Sequence, residues 1–430
     1  MNQRVIFLIQ RFVETKQRNI SLKSRKNLVN FLLCQCVFEE NHYFCKLNLI
    51  FINMRRLIIR NFGPIKEANL DFGRVNLITG LQSSGKSCIL KTACYCTWVE
   101  KRLQLSQNME EFKDSTSFID KMTDYYQIKG YIQENTYIEY ETSFLKFSYD
   151  HSSQTFTKRW KKKRWEYKRP KVSYVPADRN LVASIPAWSA LPVGENMLEF
   201  MSNWDKARRF VRKEENFLKL GLSYSYDNAT NTDNIVLRNG KSLLLKESSS
   251  GVQSLLPMYV HLDYLVNWQY QDNNSNVSYE AKNQFDVLLT AIRNTLFHKM
   301  AKADEKGNIS ITSLDLARIN LIHRNFTNIN HSEIFLEEPE ANLFPPTQCQ
   351  FIKWLLESIE EHKDVIFIAT HSPYVLNEII KNDPNNLEVF FTYAFEQEDG
   401  LYSVKQLSKD EVDEIYGGGI DLFFNFEYYV

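Results

Sequence analysis

Val75-Asn-Leu-Ile-Thr-Gly80-Leu-Gln-Ser-Ser-Gly85-Lys86-Ser87 is the stretch on which the fold turns. A strand-like apolar run, VNLIT, leads into the pattern GxxxxGK[ST], and residues 87–104 continue with apolar residues at helical intervals. Strand, glycine-rich loop and helix in that order predict an α/β fold and a cradle for a polyphosphate. Loop N–H groups wrap the phosphates, and glycine lets the backbone approach them because it has no Cβ. The N-terminus of the following helix adds partial positive charge. On this reading Gly80, Gln82, Ser83, Ser84, Gly85 and Lys86 bind a nucleotide such as ATP. Lys86 neutralises the β/γ-phosphate charge and Ser87 coordinates Mg²⁺. The alternative is a chance Gly-Ser-rich turn, and the flanking strand and helix argue against it.

Ser332-Glu-Ile-Phe-Leu-Glu-Glu-Pro-Glu340 reads as a short apolar strand ending in paired acids. Metal-assisted phosphoryl transfer needs one carboxylate to hold Mg²⁺ and a second to orient and deprotonate water. Glu337 is assigned to the metal and Glu338 to the water. A solvated acidic turn fits poorly after a run apolar enough to be buried. Val365-Ile-Phe-Ile-Ala-Thr-His371 is a second buried strand, and it ends in a histidine. Most lone histidines are surface or satisfied core residues. At a strand C-terminus, where ligands gather in open α/β sheets, His371 reads better as a γ-phosphate sensor. Glu247-Ser-Ser-Ser250-Gly251-Val-Gln253 precedes a helical run, and a Ser-Gly turn at a helix N-terminus can offer a hydroxyl and N–H groups to an anion. Alone it would read as a loop. Its meaning comes from the order: phosphate loop, SSGxQ, paired acids, histidine.

That order resembles the ABC ATPase superfamily, in particular its soluble SMC/RecF/OLD-like branch. Glu337-Glu338-Pro339-Glu340-Ala-Asn-Leu343-Phe-Pro345 is similar to the branch motif EEPExxLxP, and Tyr174-Val-Pro-Ala-Asp-Arg179 is similar to a segment common there. The resemblance covers Met54 to about Asn377. It implies a P-loop fold with a largely parallel core sheet, an antiparallel β region near the N-terminus and a helical subdomain before the signature. It also implies that Ser250, Gly251 and Gln253 form the signature motif and meet the nucleotide held by a second copy. ATP would then close a head-to-tail homodimer, and hydrolysis would release it. The chain departs from the commoner pattern in three places: Gln82 where asparagine is frequent, SSGVQ for LSGGQ, and Glu337 for aspartate. The glutamine loop is left between Gln127 and Gln133, and the adenine contact between Asn61 and Phe62.

Two sequence lobes, 54–104 and 246–400, flank an inserted region 105–245 expected to be rich in strands and helices. Helices are expected over Leu191–Leu220 and Val252–Met300, with a loop at Asp272–Asn276. Residues 1–53 differ from the rest, being locally basic with three of the seven cysteines, and are read as an extension or as sequence upstream of the natural start. OLD-like relatives often carry a C-terminal TOPRIM nuclease domain, for which the sixty or so residues after His371 are too few. A separate nuclease or effector partner is therefore expected. Lys plus Arg and Asp plus Glu both number 52, so net charge points to no polyanionic partner. Locally, Lys158-Arg-Trp-Lys-Lys-Lys-Arg164-Trp-Glu-Tyr-Lys168-Arg-Pro-Lys171 interleaves cations with rings. It reads equally as a nucleic-acid contact or as a hairpin packing its aromatic face inward. No apolar run approaches the roughly 20 residues that cross a bilayer, and no CxxC pair marks a metal site, so a cytoplasmic protein is expected. A transporter subunit is the weakest of three readings, behind a nucleic-acid clamp and a regulatory ATPase.

Overall fold

The computed structural model describes residues 54–417 apart from 109, 113, 115, 186–191, 212, 215, 272–284, 298–301, 304–308, 311–312 and 394–399. The N-terminal extension, Cys34, Cys36, Cys45 and the expected Asp272–Asn276 loop lie outside the described residues.

β1 (Arg55–Phe62) and β2 (Ile65–Asp71) form a hairpin about Gly63-Pro64, and β3 (Val75–Gly80) runs into the phosphate loop. α1 (Lys86–Ser106) and α2 (Ser117–Tyr125) follow, then β4 (Ile132–Thr142), β5 (Leu145–Asp150), β6 (Thr155–Trp160) and β7 (Pro170–Val175). α3 (Glu195–Phe210) leads to a small antiparallel sheet of β8 (Lys213–Glu214), β9 (Ser223–Asp227), β10 (Thr232–Val236) and β11 (Ser242–Leu244). α4 (Ser250–Asp263) passes into a π-helical turn, Tyr264–Trp268. A short pair, β12 (Lys302–Ala303) with β13 (Ile309–Ser310), precedes α5 (Ser313–Thr327). The chain returns through β14 (His331–Glu337), α6 (Pro345–Ser358), β15 (Val365–Ala369), α7 (Pro373–Asn382), β16 (Leu387–Tyr393) and β17 (Tyr402–Gln406).

Eleven strands make one sheet in the order β6-β5-β4-β1-β2-β17-β16-β3-β15-β14-β7. The half from β16 to β7 is parallel, and the half from β6 to β2 is antiparallel. β17 joins them, parallel to β2 and antiparallel to β16. Strands in the parallel half read as continuous apolar runs because both their faces are covered. Val75, Leu77, Ile334, Leu336, Ile366 and Ile368 face one core, with α3, α4, α6 and α7. Ile78, Phe335, Phe367 and Ala369 face the other, under α1. Phe335 and Phe367 stack there with centroids 4.4 Å apart. By contrast, edge strand β6 alternates between exposed and half-buried residues.

Two expectations need correction. The helix expected over 191–220 ends at Phe210, and the region before the signature is part helix and part β8–β11 sheet. Strands of two to five residues are too short for their alternation to stand out. Tyr224 and Ile235 nevertheless reach the core, and buried Arg208 ties α3 to Asp233 on β10 at 2.8 Å. The helix expected over 252–300 is broken, since α4 stops at Asp263 before the π-helical turn. Among the described residues, no helix is long and apolar enough to cross a membrane.

Candidate nucleotide site

The phosphate loop occupies the C-terminal end of β3. Gly80, at φ +142°, lies so close to β16 that a Cβ there would meet the Thr392 Oγ1 at 2.0 Å. Gly85, at φ +94°, would meet Ile65 at 2.5 Å. No other residue fits either position. Ser83 also sits at positive φ, +60°. Gln82 and Ser83 are exposed, whereas Ser84 is buried with its hydroxyl donating to the Leu81 carbonyl at 2.6 Å and meeting Thr392 Oγ1. Lys86 folds back and donates to the carbonyls of Gly80 (3.1 Å) and Leu81 (2.6 Å). Burial lowers its pKa to about 8, against the raising influence of Glu338 and Glu340. Those two acids therefore lie close enough to feel its charge.

The acids stand at the end of β14, two strands away, with β15 between. Glu337 is buried and accepts from the Tyr174 hydroxyl at 2.5 Å. Glu338 takes a left-handed backbone, φ +44°, rare for a residue with a side chain, while its N–H donates to the Ala369 carbonyl at 2.8 Å. Its carboxylate is 3.9 Å from His371 Nε2. The pKa of His371 is lowered by burial first and by Lys86 second, so the ring is neutral at pH 7. Loop lysine, acidic turn and histidine thus converge on one edge of the sheet.

Two residues without an assigned role hold that edge together. Arg179 is 0% exposed and donates only to backbone carbonyls: Glu337 (3.0 Å), Glu338 (2.9 Å), Pro339 (3.3 Å), Pro176 (3.3 Å) and Ser254 of α4 (3.3 Å). It locks the strained turn and ties it to α4. Its motif neighbours were legible in sequence, but an arginine bonded only to carbonyls leaves no sequence pattern. Glu340 accepts from the His371 backbone N–H at 2.7 Å, and burial raises its pKa.

Ser249, not Ser250, caps α4, accepting from the Val252 N–H at 3.5 Å. Ser250 is exposed in the first turn. Gly251 lies against the acidic turn, where an added Cβ would be 3.0 Å from the Asn342 carbonyl, and Ser254 Oγ donates to Ala341 at 3.0 Å. Gln253 has another job from the one expected. Its amide donates to Lys246 and Ser248 at 2.9 Å and accepts from Ser184, which holds the preceding loop. Among the described residues, no hydrogen bond joins Ser250, Gly251 or Gln253 to residues 80–87.

Phe62 is fully buried beside Tyr131, so it cannot present its ring to a base; Asn61 remains, donating to Asn135 at 3.4 Å. Gln133 donates to the Gly63 carbonyl at 2.9 Å, and the Gly63-Pro64 turn abuts Gly85, which favours it over Gln127 as the glutamine tied to the loop. In the basic stretch, Trp160 lies under Lys158 (4.3 Å) and Arg164 (4.0 Å), while Trp165 and Tyr167 pack on Phe326. Its rings are therefore engaged inside the chain. The oxygen donors Ser87 and Glu337 suit Mg²⁺, which takes a hydroxyl and one or two carboxylates beside phosphate oxygens. Among the described residues no three His, Cys, Asp or Glu side chains group as a self-sufficient metal site.

The family model described as "AAA domain" matches residues 56–247. No curated protein matches the chain. Among solved structures it is similar to the SMC head domain from Thermotoga maritima, at 12% identity and TM-score 0.40 over 83% of this chain and 99% of that one. It is also similar to the recombination mediator protein RecF bound to an ATP analogue (12%, TM-score 0.28, 83% and 99%). A nucleotide-free ATP-binding cassette from an ABC transporter gives 11%, TM-score 0.34, 88% and 99%. Fold and site define a P-loop ATPase. Within that class the chain is an ABC-superfamily ATPase of the SMC/RecF-like kind.

Proposed function

We propose that the chain works as an ATP-gated switch, in which two copies sandwich two nucleotides and each completes the other's site. The observation that carries this reading is a set of exposed apolar side chains bordering the motifs. Leu81 (43% exposed), Phe344 (73%) and Tyr374 (48%) follow the C-terminal ends of the neighbouring strands β3, β14 and β15. Apolar side chains exposed together beside charged groups favour a surface that is covered in use. The exposed Ser250, with no bond to its own phosphate loop, fits a role toward a partner's nucleotide.

In each half-site Lys86 turns from the loop carbonyls to the β/γ-phosphates, and loop N–H groups complete the cradle. Ser87 and Glu337 would hold Mg²⁺, which supplies charge neutralisation at the phosphate oxygens. Glu338 orients the attacking water and takes its proton, and neutral His371 donates or accepts a hydrogen bond at the γ-phosphate. Arg179 and Glu340 keep both in place. The biological setting proposed is DNA repair or defence against phage or plasmids, in the manner of OLD-like proteins.

The inward packing of Trp160, Trp165 and Tyr167 favours a second reading, a regulatory ATPase subunit that controls a separate nuclease or toxin partner without touching bases.

Glu338→Gln tests the mechanism. General-base loss typically costs about 10²–10⁴ in rate, so the variant is expected to bind ATP, hydrolyse it at least a hundredfold more slowly and accumulate as a dimer by light scattering. Normal hydrolysis would remove Glu338 from its role, and a monomer with ATP bound would end the sandwich.

A further inference from the structure

At the end of the parallel strands opposite the phosphate loop lies a cavity of about 180 Å³. Its lining gathers four cations: Lys101 of α1, Arg169 and Lys171 at the start of β7, and Lys206 of α3. Asn203 and His261 add polar groups, and the lining contains no carboxylate. In a chain whose acids and bases balance at 52 each, that segregation is not what a mixed surface gives. Nor is it a solvated face, since Arg169 is 4% exposed and Lys101 and Lys171 are half-buried. Like charges brought together out of water repel and lose hydration, so the arrangement is costly until an anion joins it.

The cations are held in place. The Arg169 backbone donates to Asn325 at 2.9 Å and accepts from Asn330 at 3.0 Å, Lys171 donates to Asn203 at 3.3 Å, and Lys206 lies 5.1 Å from the Tyr264 ring centre. His261 is neutral, its pKa pushed to about 3 by burial and then by Lys171, and its Nε2 is 2.8 Å from the Ser173 hydroxyl. The basic stretch 158–171 is therefore two things. Its hairpin spends rings and cations on each other, while its last residues turn into a cavity whose volume excludes a duplex.

We propose that this cavity binds a phosphate group, either as inorganic phosphate or as the terminal phosphate of a nucleic-acid strand. Its walls include both helices of the proposed nucleotide site. Lys101 is fifteen residues along α1 from Lys86, about 22 Å, and His261 is eleven residues along α4 from Ser250, about 16 Å. Occupancy would brace the far ends of the helices that carry the phosphate loop and the signature serine.

The test is calorimetric titration of inorganic phosphate into the full chain in saturating ADP, which fills the phosphate loop; ADP binding separately reads that loop. One phosphate site is expected. Lys101→Gln with Lys206→Gln should weaken it by about tenfold or more, as loss of charged hydrogen-bond donors does, and the paired arginine substitutions should retain it. Absence of a site in the wild type, or unchanged affinity in the glutamine pair, overturns the proposal. A short single strand with a 5′-phosphate, compared with its 5′-hydroxyl counterpart, separates the sources. Competition by the phosphorylated strand alone assigns the cavity to strand ends, and competition by neither assigns it to free phosphate. Equal competition by both means backbone binding elsewhere and overturns the proposal.

Discussion

Lys86 and Arg179 are both buried cations on one edge of the sheet, and both bond only to backbone carbonyls. They differ in how fully they are satisfied. Lys86 has two carbonyls from its own loop, and burial lowers its pKa to about 8, within reach of neutral pH. Arg179 has five from three segments, and although burial lowers its pKa to about 10 it stays charged under ordinary conditions. The lysine's bonds are local and exchangeable, so a polyphosphate can displace them at small cost. The arginine's bonds join segments far apart in sequence, and no ligand could replace them without releasing the turn. One cation is poised for a ligand and the other is part of the frame.

The comparison breaks first at Arg179. Replacing it with methionine leaves up to five buried carbonyls short of a donor, each worth roughly 1–3 kcal/mol before relaxation. A net loss of about 3–5 kcal/mol in urea unfolding is expected, with hydrolysis lost in the same variant. Arg179→Lys, a compact charge with fewer donors, should recover only part of it. A change below about 1 kcal/mol would mean the carbonyls find water and the clamp is not structural.

At Lys86 the effect is smaller and depends on pH. Phosphates around the ammonium restore its proton, so ATP binding near pH 8 should take up about half a proton, and fewer at pH 7. As pH rises above 8 the free site loses its charge and affinity falls, by at most about tenfold per pH unit. The ligand-free fold moves the other way. A lysine whose folded pKa is depressed disfavours the fold while charged, so that cost is relieved between about pH 8 and the ordinary lysine value. Calorimetry in buffers of different ionisation enthalpy checks the uptake, and zero uptake at pH 8 would mean Lys86 does not meet the phosphates.

The same contrast explains what was legible in the sequence. The phosphate loop is contiguous, and its glycines answer to local sterics, so Gly80 to Ser87 announced a strand–loop–helix unit. The parallel strands carrying Glu337 and His371 were legible because burial on both faces makes them continuously apolar. Arg179, Glu340 and Gln348 act across long sequence distances, the last joining Leu343 to Ser372 by hydrogen bonds of 2.8 and 2.5 Å. Nothing local in a sequence marks such links. The β8–β11 sheet and the β16–β17 hairpin were missed for another reason. Their strands are short or half-exposed, and β17, half-buried throughout, has no alternation to read.

The smallest expected effect asks whether the frame extends to α4. Gly251 has ordinary helical geometry, so an alanine there gains up to about 1 kcal/mol of helix propensity. Its Cβ, however, would stand 3.0 Å from the Asn342 carbonyl, and the acidic turn would have to yield by a few tenths of an ångström. The two terms nearly cancel, so Gly251→Ala should change stability by less than about 1 kcal/mol in thermal unfolding. Hydrolysis should still fall severalfold, because the displaced turn carries Glu338 and Arg179 ties that turn to the same helix through Ser254. Unchanged turnover with unchanged stability would mean that the turn absorbs the shift, and that α4 and the acids are neighbours without being coupled.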